Sequence, residues 1–131
     1  MGVTARLSYG LGALIDLAAA GGPVKGDVLA GRHGVSVGFL ENILAELRRA
    51  GLVASKRGGH GGYWLARPAA EITVADVIAV PGGAGRIESS TPLDGLQPVW
   101  ESIARATMRE AATFTLAAVA GGHEGEVAVR S

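Results

Sequence analysis

Apolar residues recur at helical spacing from the start of the chain. Leu7, Leu11, Leu14, Ile15 and Ala18 predict an amphipathic helix over about 4–20, with Thr4 as its N-cap and Gly21-Gly22 as its stop. Pro23-Val24 turns the chain. A short helix over about 25–32 follows and is expected to bury Val28 and Leu29, and Gly34-Val35 makes a tight turn. The next helix is signed at both ends. Ser36 can cap it, Val35 can staple onto Leu40, and Gly51 ends it. Leu40, Ile43, Leu44 and Leu47 form its apolar stripe, which leaves Gly38, Asn42, Ala45 and Arg49 roughly opposite.

The period then changes from helical to alternating. Leu52–Arg57 and Tyr63–Arg67 read as two short strands, joined by the glycine-rich tip Gly58-Gly59-His60-Gly61-Gly62, and Pro68 closes the second. Thr73 with Asp76 resembles a capping box, with Ile72 and Val77 as its staple, and predicts a helix over about 74–80. Residues 81–95 read as loop. A last helix is expected over about 97–119, with Trp100, Ile103, Thr107, Ala111, Phe114 and Ala118 on one face. The tail 121–131 is polar and glycine-rich and is expected to be disordered.

Three helices followed by a two-stranded hairpin is the order of a winged helix-turn-helix. The expected fold is mainly α with a small β-hairpin wing, followed by a long C-terminal dimerisation helix. It divides into a DNA-binding domain over 1–80, a loop over 81–95, the dimerisation helix over 96–120 and the tail. The third helix must be apolar on one side to sit on its neighbours, and small or polar on the other to enter a major groove; 36–49 meets both demands. Glycines let the wing backbone approach phosphates, and Lys56 and Arg57 stand at its base to neutralise charge.

The charge distribution sharpens this picture. The chain of 131 residues is neutral overall, with 12 basic and 12 acidic residues. Residues 1–70 hold eight Lys/Arg and four acids, giving +4, and residues 71–131 hold the reverse, giving −4. A basic first half suits a polyanionic partner. No cysteine is present, which excludes disulfides, thiolate-ligated zinc and a cysteine nucleophile. His33, His60 and His123 are scattered and make no metal pattern. No Ser/His/acid set or carboxylate pair points to catalysis, and the glycine-rich tip lacks the Lys-Ser/Thr and helix of a phosphate loop, so no enzyme is expected. No run reaches the roughly 18 apolar residues of a membrane span. Asp16 and polar neighbours interrupt the first apolar stretch, so it is not read as a secretory signal, and the expected location is the cytoplasm.

At Tyr9–Ala18, Gly34–Arg49, Ala50–Leu65, Arg67-Pro68, Ile72–Ile78 and the tryptophan helix from Leu96, the chain resembles the Rrf2 family of winged-helix regulators. The resemblance covers roughly 1–119. It implies a dimeric transcription factor whose C-terminal helix crosses to the partner, with Trp100, Ile103, Thr107, Ala111 and Phe114 at the interface. It also places Gly38, Glu41 and Asn42 at positions facing bases. Asn42 can pair with adenine and Glu41 can accept from cytosine N4, although Glu41 also suits a helix N-terminal turn by charge alone. Arg57 is expected at a minor groove or a phosphate, and Arg6, Tyr9, Ser36, Arg49 and Lys56 complete the expected DNA-contacting set. Trp64 is expected under the wing rather than stacked on a base. Many members hold an iron–sulfur cluster on three cysteines in the loop before the last helix; here 81–95 has none, so no cofactor is expected. The partners expected are double-stranded DNA carrying a palindromic operator, a second copy of the chain, and a small ligand or protein as effector. The competing reading is a winged helix that docks onto protein.

Overall fold

The structure, a computed structural model, describes residues 2–81, 87–88 and 95–122. A two-residue strand, β1 (Gly2–Val3), leads into α1 (Ala5–Ala19), where the Thr4 hydroxyl accepts from the Leu7 N–H at 3.1 Å. α2 (Gly26–His33) and α3 (Val37–Arg49) follow, and the Ser36 hydroxyl caps α3 by accepting from the Phe39 N–H at 3.1 Å. Gly51 sits at φ +82, a left-handed conformation that only glycine adopts freely. That turn lets the Leu52 N–H reach the Leu47 carbonyl and the Gly51 N–H reach the Arg48 carbonyl, both at 3.0 Å, which satisfies two otherwise orphaned acceptors at the end of α3.

Leu14, Leu29, Leu40, Ile43, Leu44 and Leu47 are fully buried and form one core between α1, α2 and α3. Val28, expected inside, is 45% exposed. An eight-residue helix packed on one side buries a single narrow face, and Leu29 with Ala30 occupies it.

The wing is an antiparallel pair, β2 (Val53–Lys56) and β3 (Gly62–Leu65), in the register Val53↔Leu65 to Lys56↔Gly62. Val24 adds a single antiparallel bridge on the other edge of β3: its N–H donates to the Tyr63 carbonyl at 2.9 Å and its carbonyl accepts from the Tyr63 N–H at 2.8 Å. Gly62, at φ +139, makes this close approach possible, since a Cβ there would lie 2.8 Å from the Val24 backbone. The wing is thereby tied to the α1–α2 connection.

A single 3₁₀ turn (Ala69–Glu71) precedes α4 (Val74–Ile78). The capping box is complete: the Asp76 N–H donates to the Thr73 hydroxyl at 3.1 Å, and the Thr73 N–H donates to the Asp76 carboxylate at 2.9 Å. Within the stretch expected to be loop, β4 (Ile87–Glu88) pairs antiparallel with β1, placing Gly2 opposite Glu88 and Val3 opposite Ile87. Residues 82–86, 89–94 and 123–131, which include the rest of that loop and most of the expected disordered tail, lie outside the described residues.

The C-terminal part departs from expectation. In place of one helix over 97–119 there are two, α5 (Gln97–Ala111) and α6 (Leu116–Gly122). The break has a local cause. Thr113 turns its hydroxyl back onto the Glu110 carbonyl at 2.7 Å, and the Thr115 hydroxyl caps the next helix by accepting from the Ala118 N–H at 3.1 Å. The backbone between them pairs with another segment: the Val74 N–H donates to the Phe114 carbonyl at 2.9 Å and the Leu116 N–H to the Ile72 carbonyl at 2.8 Å. α6 then packs on α1 and on the 69–71 turn, with Leu116 completely buried. Of the segment expected as one dimerisation helix over 96–120, α6 thus shares a core with α1.

α5 lies against α4. Of the residues expected on its interface face, Ile103 is exposed, Trp100 and Thr107 are half-buried, and Ala111 is buried within the chain. Phe114 falls in the break rather than on a helix. The apolar side chains left outward are Leu96, Val99 and Ile103, each between 37% and 49% exposed. Among the described residues no helix is long and apolar enough to cross a membrane.

Candidate nucleic-acid interface

α3 rests on α1 and α2 through its leucine stripe, so its other side is presented outward. Gly38, Glu41, Asn42 and Arg49 are all exposed on that side, and a Cβ at Gly38 would meet nothing within 4 Å. Ser36 is exposed too, but its hydroxyl is used as the cap, which sets where α3 begins.

Between α3 and the wing lies a cleft of about 550 Å³, lined by Lys25, Glu41, Arg48, Lys56, Arg57 and Tyr63 among others. Four cations thus surround one carboxylate. Two of them also brace the wing: the Lys25 ammonium donates to the Gly58 carbonyl at the tip, and Arg48 donates to the Ser55 hydroxyl at 3.2 Å. Lys56 and Arg57 are exposed at the wing base. Tyr63 projects into this cleft, and burial, reinforced by the negative charge of Glu41 and opposed by Arg48, raises its hydroxyl above the ordinary tyrosine value of 10.0. At neutral pH it is a neutral donor.

Trp64 alternates to the other side of the hairpin, as the period of a strand requires. There it is half-buried and lines a groove with Leu17, Pro23 and Pro68, in keeping with a packing role.

Tyr9 is half-buried and meets the Phe39 ring edge-on, with centroids 5.7 Å apart, so its aromatic body joins α1 to α3. Arg6 lies over the same Phe39 ring, 5.9 Å from its centroid. One terminal nitrogen of Arg6 donates to the Asn42 amide oxygen at 2.8 Å and to Glu46 at 2.5 Å. Glu46 is only 8% exposed. The geometry therefore brings together Glu41, Arg48, Lys25, Lys56 and Arg57 in one cleft, and Arg6, Asn42 and Glu46 in a neighbouring cluster; Arg49 and Gly38 stand on the open helix face.

Sequence reasoning missed Lys25, Arg48 and Glu46. The first two lie in the basic half but outside any motif, and only folding sets them beside the wing. Glu46 did leave a trace: it flanks the apolar stripe of α3, where a carboxylate needs a partner, and none of opposite charge stands within one turn on the inner side.

Comparison with known proteins agrees with the winged-helix fold. The Rrf2 family model, described as an iron-dependent transcriptional regulator, matches residues 3–122. An HTH-type transcriptional regulator of Mycobacterium tuberculosis is 42% identical over 134 residues, covering 93% of this chain and 83% of the relative. The Rrf2 protein of Nitratidesulfovibrio vulgaris is 36% identical, covering 89% of this chain and 85% of that protein. Among solved structures, T. potens IscR superposes with a TM-score of 0.77 at 36% identity, covering 96% of this chain and 91% of that one. CymR, the global cysteine regulator of B. subtilis, gives 0.75 at 31% identity, covering 92% and 97%.

The iron in the family description finds no matching donors here. The chain has no cysteine, and among the described residues no group of three or more histidines, aspartates or glutamates is placed to hold a metal. Hard carboxylates are poor substitutes for the thiolates that hold an iron–sulfide core. The winged-helix fold is nevertheless present among the described residues. The chain belongs to the Rrf2 family of winged-helix transcriptional regulators and is not an enzyme.

Proposed function

We propose that two copies of the chain form a cytoplasmic homodimeric repressor that reads a palindromic operator and works without an iron–sulfur cluster. Each α3 would enter a major groove, with Gly38, Glu41 and Asn42 towards the base edges. Each wing would cover the flanking minor groove or its phosphates through Arg57 and Lys56. The observation that carries this reading is the cationic cleft between the exposed face of α3 and the wing. Its width of chemistry fits a phosphate backbone beside a base edge, and an apolar docking face would need the opposite composition.

The test is retention on duplex DNA as salt rises. Binding is expected to fall steeply with log salt, and Arg57→Ala should weaken it on all sequences and reduce the slope by about 1 if a phosphate contact is lost. Shallow salt dependence in the parent protein would favour the protein-docking module instead.

Control without a cluster would come from a small ligand, a partner protein or the protein's own concentration. Anaerobic incubation with iron and sulfide is expected to leave the protein colourless and its operator affinity unchanged. A stable visible charge-transfer band with stoichiometric acid-labile sulfide would show ligands of a kind not present in this donor set.

A further inference from the structure

Asn42 is one of the exposed polar side chains on the outward face of α3, yet its amide does not stand free. Arg6 reaches across from α1 and donates to the amide oxygen at 2.8 Å. A guanidinium carries five N–H donors and no acceptor, so it faces the oxygen of a carboxamide and never its NH₂. The orientation of Asn42 follows from its neighbour: the oxygen is turned to Arg6 and the NH₂ is turned away.

Arg6 is itself held. The same nitrogen contacts Glu46 at 2.5 Å, and Glu46 is 8% exposed, so the ion pair is shielded on one side from water. Glu46 lies one helical turn beyond Asn42 on α3, and the guanidinium also lies over Phe39. A partly buried carboxylate without its cation is costly, which keeps Arg6 in this place. The second oxygen of Glu46 is buried with no hydrogen-bond partner, so Arg6 is the charge that compensates it among the described residues.

This arrangement changes what Asn42 can read. The familiar asparagine–adenine pair uses both ends of the amide, the oxygen accepting from adenine N6 and the NH₂ donating to N7. Here one lone pair of the oxygen is taken by Arg6 and the oxygen is aimed at α1, away from the two-point adenine geometry. The NH₂ is the end turned away from Arg6, and it is complementary to any major-groove acceptor, guanine O6 or N7, adenine N7 or thymine O4, but to nothing on the donor edge of cytosine. We propose that Arg6, locked by Glu46, is a specificity-determining positioning residue that turns Asn42 from a two-point adenine reader into a reader through its NH₂, which takes guanine, adenine or thymine and rejects cytosine. The proposal rests on the DNA-reading function above and concerns how one residue of it is set.

The experiment is binding-site selection from randomised duplexes with the full chain and three variants. Asn42→Ala identifies the operator position that Asn42 reads, as the one whose preference flattens. Arg6→Ala frees the amide but leaves Glu46 uncompensated. Arg6→Ala combined with Glu46→Leu frees the amide and removes the buried charge, so it keeps the comparison informative if the single variant folds poorly; thermal melting checks both. The parent protein should accept guanine, adenine or thymine at the Asn42 position and reject cytosine. The double variant should shift that position towards adenine by about tenfold in relative preference and leave the other positions unchanged. A merely structural role for Arg6 would lower affinity without moving the motif. An unchanged motif in a folded double variant overturns the proposal, as does cytosine, or adenine to the exclusion of guanine and thymine, at that position in the parent, or no position that responds to Asn42→Ala. If the parent protein enriches no motif at all, the DNA-reading function itself fails and the proposal falls with it.

Discussion

Replacing Ile103 by aspartate is expected to convert the protein to monomers and to remove most of its operator binding. Leu96, Val99 and Ile103 are the apolar side chains that α5 leaves outward, and they fall at i, i+3 and i+7 on one face. A helix face of this kind gains by pairing with a copy of itself, because each side chain removes the other from water. In a twofold interface the substitution appears twice. Burying one unpaired charge costs on the order of 3–5 kcal/mol, so the dimer should weaken by at least about a hundredfold. Operator affinity should fall further, since two linked reading heads gain about 10²–10⁴ from their effective concentration, and separate heads lose it. Because Ile103 is 39% exposed in the single chain, the monomer should stay folded, and circular dichroism separates lost assembly from lost fold. Light scattering that shows a dimer for Ile103→Asp at micromolar concentration would take α5 out of the interface.

The second large effect belongs to Leu116→Ala. Leu116 is 0% exposed and opens α6 against α1 and the 69–71 turn. Truncating a buried leucine costs about 2–5 kcal/mol, part for the lost transfer and part for the cavity. In a chain of this size the melting temperature should drop by on the order of 10 °C. The shape of the transition is as informative as its midpoint. If α6 shares the core of the DNA-binding unit, the whole protein should melt earlier in one step. A local early loss of helix, with the main transition unmoved, would mean that α6 is an appendage and that the core closes without it.

The Leu116 result also bears on how α5 is oriented. α6 anchors the far end of α5 to α1, while α4 supports its side. If α5 is the interface helix proposed above, being held at two places would present its outward face at a defined angle. Two copies joined through it would place their α3 helices at a fixed separation, as reading two half-sites requires.

Most of the DNA-binding unit was legible in the sequence because its signals are local. Thr4, Ser36 and the Thr73–Asp76 box cap helices through bonds that span three residues. Gly51 ends α3 through its own left-handed backbone, and the stripe from Leu40 to Leu47 declares which side is buried. Such features need no knowledge of the rest of the chain. The outward residues Gly38, Asn42, Ala45 and Arg49 follow from the same period, whereas Glu41 was placed by the family resemblance.

The remaining features depend on segments far apart in the chain, and only the tertiary structure decided them. Residues 97–119 carry a continuous helical period, yet the backbone at Phe114 and Leu116 exchanges helical bonds for bonds to Ile72 and Val74, forty residues away. Local propensity has no access to that competition, and two threonine hydroxyls tip it by capping the broken ends. The same holds for the β1–β4 pair and for the Val24 bridge to the wing. At the reading face, Asn42 was visible as a polar residue on the open side of a helix. The orientation of its amide depends on Arg6 and Glu46, which meet only after α1 and α3 have packed. The sequence by itself thus determined the order of helices and wing, and which face of each is buried, because those follow from residue periodicity. Tertiary packing decided where the last helix breaks and which donors each exposed side chain has left to offer, because hydrogen-bonding groups satisfied by distant partners are no longer free for DNA.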